Sequence, residues 1–143
     1  MKRNKPHFYV TAGLIWQDGS LLITKRPEGS HLAGFWEFPG GKKEANETLK
    51  ECLEREIKEE LGIKVKADKI LLTVHHEYET QLITLYLLQC TFFKGQVKPL
   101  EGQESKWVRP LDLHKYTFPP PDLKFIEFLV SQEENGHFYN DMK

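Results

Sequence analysis

The stretch from Thr48 to Gly62 constrains the fold more than any other part of the sequence. Apolar residues recur there at helical intervals, namely Leu49, Cys52, Leu53 and Ile57. Thr48 followed by Glu51 has the spacing of a capping box, and Leu61-Gly62 is typical of a helix end. The pattern therefore predicts a helix that packs one apolar face against the rest of the protein.

Toward its C-terminal end, the same face of this helix becomes acidic. Because a helix turns by about 100° per residue, Glu56 and Glu60 project in nearly the same direction as Leu49. Glu59 flanks them, so three carboxylates fall within about one helical turn. The structural alternative is a solvated charged face that pairs with basic neighbours, but carboxylates turned toward the protein body need compensation. Hard divalent cations prefer such oxygens, so the pattern predicts a Mg²⁺ or Mn²⁺ site.

Gly40-Gly41-Lys42 lies shortly before the predicted helix. Glycine permits a close approach of the backbone to a ligand, and the lysine supplies a positive charge. The segment could be an ordinary turn, or it could approach a phosphate chain held near the predicted metal site.

The rest of the pattern predicts a mixed sheet between helices, in an α/β or α+β fold. The pattern predicts a hairpin from residues 8–16 and 20–25. It also predicts two long strands, at residues 65–79 and 82–93, and a short strand at residues 106–108. Pro39-Gly40-Gly41 is expected to end regular structure. Three prolines before residue 122 indicate a final helix, with Asp122 near its N-cap.

Composition limits the classes of partner. With 143 residues the chain has the length of one domain. Its 20 basic and 21 acidic residues nearly cancel, and this low net charge argues against a nucleic acid polymer or an anionic membrane as partner. No apolar run is long enough to span a bilayer or serve as a secretory signal, so we expect a cytoplasmic protein that binds a small molecule. Its oligomeric state is not predicted. Cys52 and Cys90 lie in apolar patterns and are expected in the core.

One long motif resembles that of a known family. Gly41, five residues, Glu47, seven residues and then the run from Arg55 to Ile63 match the Nudix box at every defined position. Residues 24–26, 36–42, 101–103 and 118–120 are similar to the MutT-type branch of that family. The resemblance covers most of the chain and implies a single Nudix hydrolase domain over residues 1–143, with the box at 41–63 and a sheet sandwiched by helices.

The resemblance also implies roles for residues in and near the box. The expected ligands of the divalent metal are the backbone carbonyl of Gly41 and the side chains of Glu56, Glu59, Glu60 and Glu101. Arg55 is expected to hold a glutamate in place, and Glu47 to orient the box. Arg26 and Lys42 would contact the phosphates of the substrate.

The expected reaction is hydrolysis of a nucleoside triphosphate by water that attacks the β-phosphorus, giving a nucleoside monophosphate and pyrophosphate. The attacked phosphorus comes from the resemblance. Either Glu59 or Glu101 could accept the proton of the water, and the sequence does not distinguish them.

The candidates for contact with the base are Glu37, Phe38 and Asp122. The structural alternatives are a core position for Phe38 and a helix cap for Asp122. Where we align Asp122, the 8-oxoguanine-selective archetype has asparagine and a cytosine-nucleotide branch has aspartate. An ionised aspartate only accepts hydrogen bonds, which suits the cytosine amino group or the N1 and N2 hydrogens of guanine.

We expect 8-oxo-dGTP or dGTP as the substrate, with CTP or dCTP as the alternative. ADP-ribose is less favoured, because this chain lacks the proline that ADP-ribose hydrolases often carry beyond the box and has Tyr78 instead. That tyrosine leaves room for dinucleoside polyphosphates. A domain that only binds nucleotides is the competing class, but such members usually lack box carboxylates that are all present here.

Overall fold

A mixed sheet with a helix on each face forms the body of the protein. The computed structural model describes residues 4–136. In chain order the elements are β1 (His7–Gln17), β2 (Ser20–Lys25), β3 (Trp36–Glu37), β4 (Gly40–Lys42), α1 (Leu49–Leu61), β5 (Lys64–Glu77), β6 (Leu82–Lys94), β7 (Glu104–Val108), a 3₁₀ helix (Pro110–Lys115) and α2 (Pro120–Glu134). None of the helices in this part of the chain is long and apolar enough to cross a membrane.

The strand β1 connects the sheet. Its neighbours give the order β3-β2-β1-β6-β5, while β4 also pairs with β1, and β7 pairs with β2. The strands β1 and β6 run parallel, and the other pairs are antiparallel. The predicted mixed sheet and the predicted hairpin of β1 and β2 are therefore confirmed.

Two apolar clusters cover the two faces of the sheet. Leu14 belongs to the cluster that includes Phe125 of α2, whereas the next residue, Ile15, belongs to the cluster that includes Ile57 of α1. Successive side chains of a strand point to opposite faces, so alternate residues of β1 serve both clusters. The predicted arrangement of a sheet between helices is confirmed.

The helix α1 begins and ends as its sequence predicts. The hydroxyl of Thr48 accepts from the backbone N–H of Glu51 at 3.1 Å, and the side chain of Glu51 accepts from the N–H of Thr48 at 2.8 Å. Gly62 ends the helix in the left-handed conformation, with φ of 68°. The capping box and the helix end are both confirmed.

The expectation that Pro39-Gly40-Gly41 ends regular structure is wrong. Gly40–Lys42 forms β4, in which Gly41 pairs with Thr11 of β1. A Cβ at Gly40 would overlap the carbonyl oxygen of Thr11, so glycine allows the two strands to approach this closely. A three-residue strand rich in glycine has no alternation of side chains that would predict it.

The start of α2 is also corrected. The helix begins at Pro120, so two of the three prolines lie inside it, and Pro119 is the N-cap. Proline suits the first turn because its missing N–H has no helical partner there. Asp122 consequently lies within the first turn, with its side chain buried, and the helix-cap alternative for Asp122 is wrong.

Candidate active site

The acidic face of α1 turns a buried carboxylate toward the interior. Glu60 is only 7% exposed, and its Oε2 has no hydrogen-bond partner among the described residues. Burial, together with the charges of Glu37, Glu56 and Glu101, raises the pKa of Glu60 to about 9. The helical spacing of the sequence thus predicted correctly that an acidic side chain lies on the same face of α1 as the apolar residues.

Four carboxylates from different parts of the chain surround a cavity of about 260 Å³, which we call the acidic cavity. They come from β3, α1 and the turn before β7, and they are Glu37, Glu56, Glu60 and Glu101. Arg26 and Gly40 also line this cavity. The topology therefore brings Glu101, which lies outside the box, to the box glutamates.

Arg55 holds the neighbouring glutamates by several hydrogen bonds. Its Nε and Nη2 donate to the carboxylate of Glu47 at 3.0 and 2.7 Å. Its Nη1 donates to Glu56 at 3.0 Å and to Glu59 at 3.2 Å. The hydrogen bonds from Arg55 lower the pKa of Glu47 to about 2, and the same contacts raise the pKa of Arg55. Glu47 also accepts from the backbone N–H of Glu44 at 2.8 Å, so it links the loop before α1 to the helix.

Glu59 lies on the outer flank of α1. Its side chain is 55% exposed, and within residues 4–136 the lining of the acidic cavity does not include it. As the side chains stand in this part of the chain, no group of three or more histidine, cysteine, aspartate or glutamate residues could hold a metal ion. The ion pairs of Arg55 with Glu56 and Glu59 explain why these two carboxylates are directed toward the guanidinium instead.

The donor chemistry of the acidic cavity nevertheless fits a divalent cation. Carboxylate oxygens are preferred by Mg²⁺ and similar ions, and the unpartnered oxygen of Glu60 offers a free ligand atom. Gly41 lies directly against Glu56, because a Cβ at position 41 would overlap the Glu56 carboxyl group. Several carboxylates are thus gathered in one region, and the backbone of Gly41 packs against one of them.

Two residues beside Gly41 were not identified as site residues from the sequence. The hydroxyl of Thr11 donates to the carbonyl of Gly41 at 3.3 Å, and the thiol of Cys52 donates to the same oxygen at 3.6 Å. Both side chains are buried, as was predicted for Cys52. Their positions in a strand and on the apolar stripe of a helix gave no sign of polar contact with the box.

A second cavity, of about 460 Å³, adjoins the acidic one, and we call it the larger cavity. Arg26, Glu37 and Gly40 line both cavities. The other candidates that line the larger cavity are Phe38, Gly41, Lys42 and Asp122. The predicted phosphate-binding and base-binding residues are therefore all found around this one space.

Asp122 is buried in the wall of the larger cavity, where only 6% of it is exposed. Burial and, to a smaller extent, the charge of Glu37 raise its pKa to about 8, although the charge of Arg26 opposes the shift. The raised pKa favours the protonated carboxyl group, which can both donate and accept hydrogen bonds.

Phe38 was expected either to contact the base or to belong to the core, and the structure is compatible with both positions. It is 3% exposed, belongs to the apolar core, and its ring lies 5.3 Å from that of Phe118. It also contributes to the lining of the larger cavity. Core packing fixes the ring at the wall of the cavity.

The basic candidates already contact protein groups. Arg26 Nη1 donates to Glu37 at 3.0 Å, and Lys42 Nζ lies 4.2 Å above the ring of Phe8. Burial raises the pKa of Glu37, although the contact with Arg26 opposes this shift. The ion pair forms part of the wall between the two cavities.

His31 and Tyr78 also line the larger cavity, and neither was predicted as a site residue. Their rings meet edge to face with centroids 6.0 Å apart. His31 lies in the loop after β2 and Tyr78 follows β5, so only the tertiary fold brings them together.

The NUDIX domain family matches residues 11–128. The chain belongs to the Nudix family. The 8-oxo-dGTP diphosphatase of Haemophilus influenzae is 35% identical over 133 residues, which cover 92% of this chain and 98% of the relative. The CTP pyrophosphohydrolase of Escherichia coli is 34% identical over 122 residues, which cover 85% of this chain and 90% of the relative.

The structure of the MutT protein from Methanosarcina mazei superimposes with a TM-score of 0.82 and 29% identity, covering 92% of this chain and 99% of that one. This Nudix protein is a hydrolase of the MutT type, as the sequence predicted. Nudix hydrolases generally need a divalent metal ion.

Proposed function

We propose that this Nudix hydrolase converts 8-oxo-dGTP or dGTP into the nucleoside monophosphate and pyrophosphate. The observation that carries the proposal is the pair of adjoining cavities, which share Arg26, Glu37 and Gly40. In this proposal the base occupies the larger cavity, which Phe38 and Asp122 line. The phosphates can then reach the acidic cavity along the shared wall. The name of the H. influenzae relative supports the same substrate.

The residues that would hold Mg²⁺ or Mn²⁺ are the carbonyl of Gly41 and the side chains of Glu56, Glu59, Glu60 and Glu101. A bound divalent cation would neutralise phosphate charge and lower the pKa of the attacking water. Arg55 would keep Glu56 and Glu47 in position through its observed hydrogen bonds.

In the proposed reaction, water attacks the β-phosphorus, and the bond from that phosphorus to the oxygen shared with the α-phosphorus breaks. The nucleoside monophosphate leaves with the bridging oxygen, and the water oxygen remains in pyrophosphate. Glu101 is the better candidate to accept the proton, because it lines the acidic cavity, whereas Glu59 is on the outer flank of α1. Arg26 and Lys42 would bind the phosphates.

Recognition of the base depends on Asp122. A protonated carboxyl group can donate to guanine O6 and accept from N1–H, which favours a guanine nucleotide. The second candidate substrate is CTP or dCTP, because the E. coli relative is named a CTP pyrophosphohydrolase. An ionised Asp122 would suit it, since it could accept from the cytosine amino group.

The test is a comparison of substrates under one set of conditions. We would measure pyrophosphate release with 8-oxo-dGTP, dGTP, dCTP and CTP, each with Mg²⁺ or Mn²⁺. ADP-ribose and a dinucleoside polyphosphate release no pyrophosphate, so their hydrolysis would be followed by chromatography of the products, which would also identify the nucleotides formed from the triphosphates. We expect the highest kcat/KM with 8-oxo-dGTP. A higher kcat/KM with dCTP or CTP would favour the second candidate. If none of these nucleotides is hydrolysed, the competing class of a domain that only binds nucleotides would be favoured.

A further inference from the structure

The segment before β7 is bonded to the last turn of α1. The backbone N–H of Leu100 donates to the carbonyl of Glu60 at 2.8 Å, and that of Lys98 donates to the carbonyl of Leu61 at 2.9 Å. The last carbonyls of a helix have no partner within it, so this segment supplies the missing donors. The loop that carries Glu101 is thus attached to the helix that carries Glu60.

Gln103 adds a side-chain link between these two parts. It is 7% exposed, its Oε1 accepts from the backbone N–H of Glu101 at 3.0 Å, and its Nε2 donates to the carbonyl of Glu60 at 3.4 Å. Both ends of one buried amide are therefore used. Each end contacts the backbone of a residue whose carboxylate lines the acidic cavity.

A link of this kind has a physical purpose at this site. Glu60 and Glu101 line the same acidic cavity, and Glu101 lies in a turn rather than in a helix or strand. The backbone hydrogen bonds of Lys98 and Leu100 lie before Glu101, whose own N–H donates to Gln103. A neutral amide can hold the segment inward without adding another charge.

We propose that Gln103 is a positioning residue for the hydrolytic reaction, because it fixes Glu101 relative to Glu60 at the acidic cavity. This role rests on the proposed function. It predicts that Gln103 acts through Glu101, whereas a residue that only fills space would affect folding and leave the contribution of Glu101 intact.

The first measurement is the kinetic effect of Gln103→Leu, which removes both hydrogen bonds at similar size. We expect kcat with 8-oxo-dGTP to fall by at least about tenfold, a factor within reach of two hydrogen bonds, while KM changes by less than about threefold. Gln89→Leu is the matched control. Gln89 accepts from Trp16 Nε1 at 3.1 Å and lines neither cavity in the described part of the chain, so its loss should leave kcat unchanged.

The second measurement tests whether Gln103 acts through Glu101. If it does, Gln103→Leu should lower kcat much less in a Glu101→Gln background than in wild type, because the group it positions is already missing. Independent effects that multiply would contradict the proposal. If Gln103→Leu does not fold, the nearly isosteric Gln103→Glu replaces it, since it cannot donate to the Glu60 carbonyl when ionised.

The third measurement does not depend on activity or metal. Hydrogen exchange of the Glu101 amide should become about tenfold faster or more in Gln103→Leu, while that of the Leu100 amide, which is bonded to Glu60, stays slow. An active wild type together with a fully active Gln103→Leu, or unchanged exchange at Glu101, would overturn the positioning role. A wild type that hydrolyses no nucleotide would overturn the proposed function itself.

Discussion

Glu60 shows how one residue can oppose folding and still have a clear purpose. Its carboxyl group is buried, has an oxygen with no hydrogen-bond partner among the described residues, and faces three other glutamates. Such a group normally destabilises a protein unless a cation or proton compensates for it. A leucine at this position of the apolar stripe would be expected to pack better. The cost is explained if the oxygen is a ligand in the working enzyme.

We predict that Glu60→Gln lowers kcat/KM with 8-oxo-dGTP by at least about 10²-fold, the range of a lost electrostatic contributor to catalysis. Because glutamine has nearly the same size, the circular dichroism spectrum and thermal transition should show a folded protein. Glu127→Gln, an exposed substitution on α2, is the matched control and should keep full activity. Turnover by Glu60→Gln within a few-fold of wild type would remove Glu60 from the proposed metal site.

Asp122 leads to a prediction about pH. Since its pKa is raised to about 8, it is neutral below that pH and ionised above it, while Glu37 and Arg26 face it. The ratio of kcat/KM for 8-oxo-dGTP over that for dCTP should therefore fall between pH 7 and pH 9. Expressed as a free energy, the discrimination between the two nucleotides should change by roughly 1–3 kcal/mol, which is the value of one base-edge contact. Asp122→Asn should resemble wild type at pH 6.5 and lack this titration.

The variant Asp122→Asn also controls for titration of the substrate, because both proteins receive the same nucleotide at each pH. Stability gives an independent check of the sign. A raised carboxyl pKa contributes stability that is fully present below the unfolded value of 3.8 and is lost as pH rises through about 8. The melting temperature of Asp122→Asn minus that of wild type should thus increase over this window. A constant difference would indicate that Asp122 is ionised throughout.

At the scale of elements, the sequence predicts what local periodicity and capping determine. The helix α1 has its predicted cap and end, and β2 has its predicted bounds, because each depends on residues close together in the chain. The short strand β4 and the first turn of α2 could not be predicted in the same way. Glycine and proline there usually break regular structure, and only the pairing with β1 and the tolerance of a first helical turn for proline explain them.

Some residues of the candidate site could likewise be predicted from local sequence, whereas others are brought together only by the tertiary fold. The box glutamates could be found from their spacing and from the azimuth of the helix. The contacts of Thr11 with Gly41 and of Gln103 with Glu60 join residues far apart in the chain, so no local pattern contains them. The raised pKa of Asp122 also depends on burial that only the packed fold creates.

The close packing of β4 against α1 gives a prediction for Gly41→Ala. The added Cβ would overlap the carboxyl group of Glu56, so that side chain must move. We expect kcat with 8-oxo-dGTP to fall by about tenfold or more, while the melting temperature changes little.

Gly13→Ala serves as the contrasting control for Gly41→Ala. Its Cβ would lie 3.2 Å from side-chain atoms of Cys90, Ile57 and Leu53, which are core residues. It should therefore lower the melting temperature more than it lowers kcat. If Gly41→Ala also lowered the melting temperature more than it lowered kcat, position 41 would matter only for packing.

At the scale of the molecule, charge is distributed unevenly although the total nearly cancels. The formal net charge is −1, yet four carboxylates line one small cavity between the sheet, α1 and the turn before β7. Arg26 and Arg55 each pair with one or more of these carboxylates and offset part of the repulsion. The remaining repulsion should make the fold itself sensitive to a bound cation.

We predict that Mg²⁺ or Mn²⁺ raises the melting temperature of the protein by several degrees relative to EDTA. A ligand that binds only the folded state adds about 2.7 kcal/mol to the unfolding free energy at a concentration 100 times its Kd. Glu60→Gln should reduce this increase strongly, and Glu127→Gln should keep it. Sodium chloride at matched ionic strength separates specific binding from screening. An equal increase in Glu60→Gln and wild type would mean that the cation binds elsewhere, because the buried oxygen of Glu60 would then contribute nothing to its affinity.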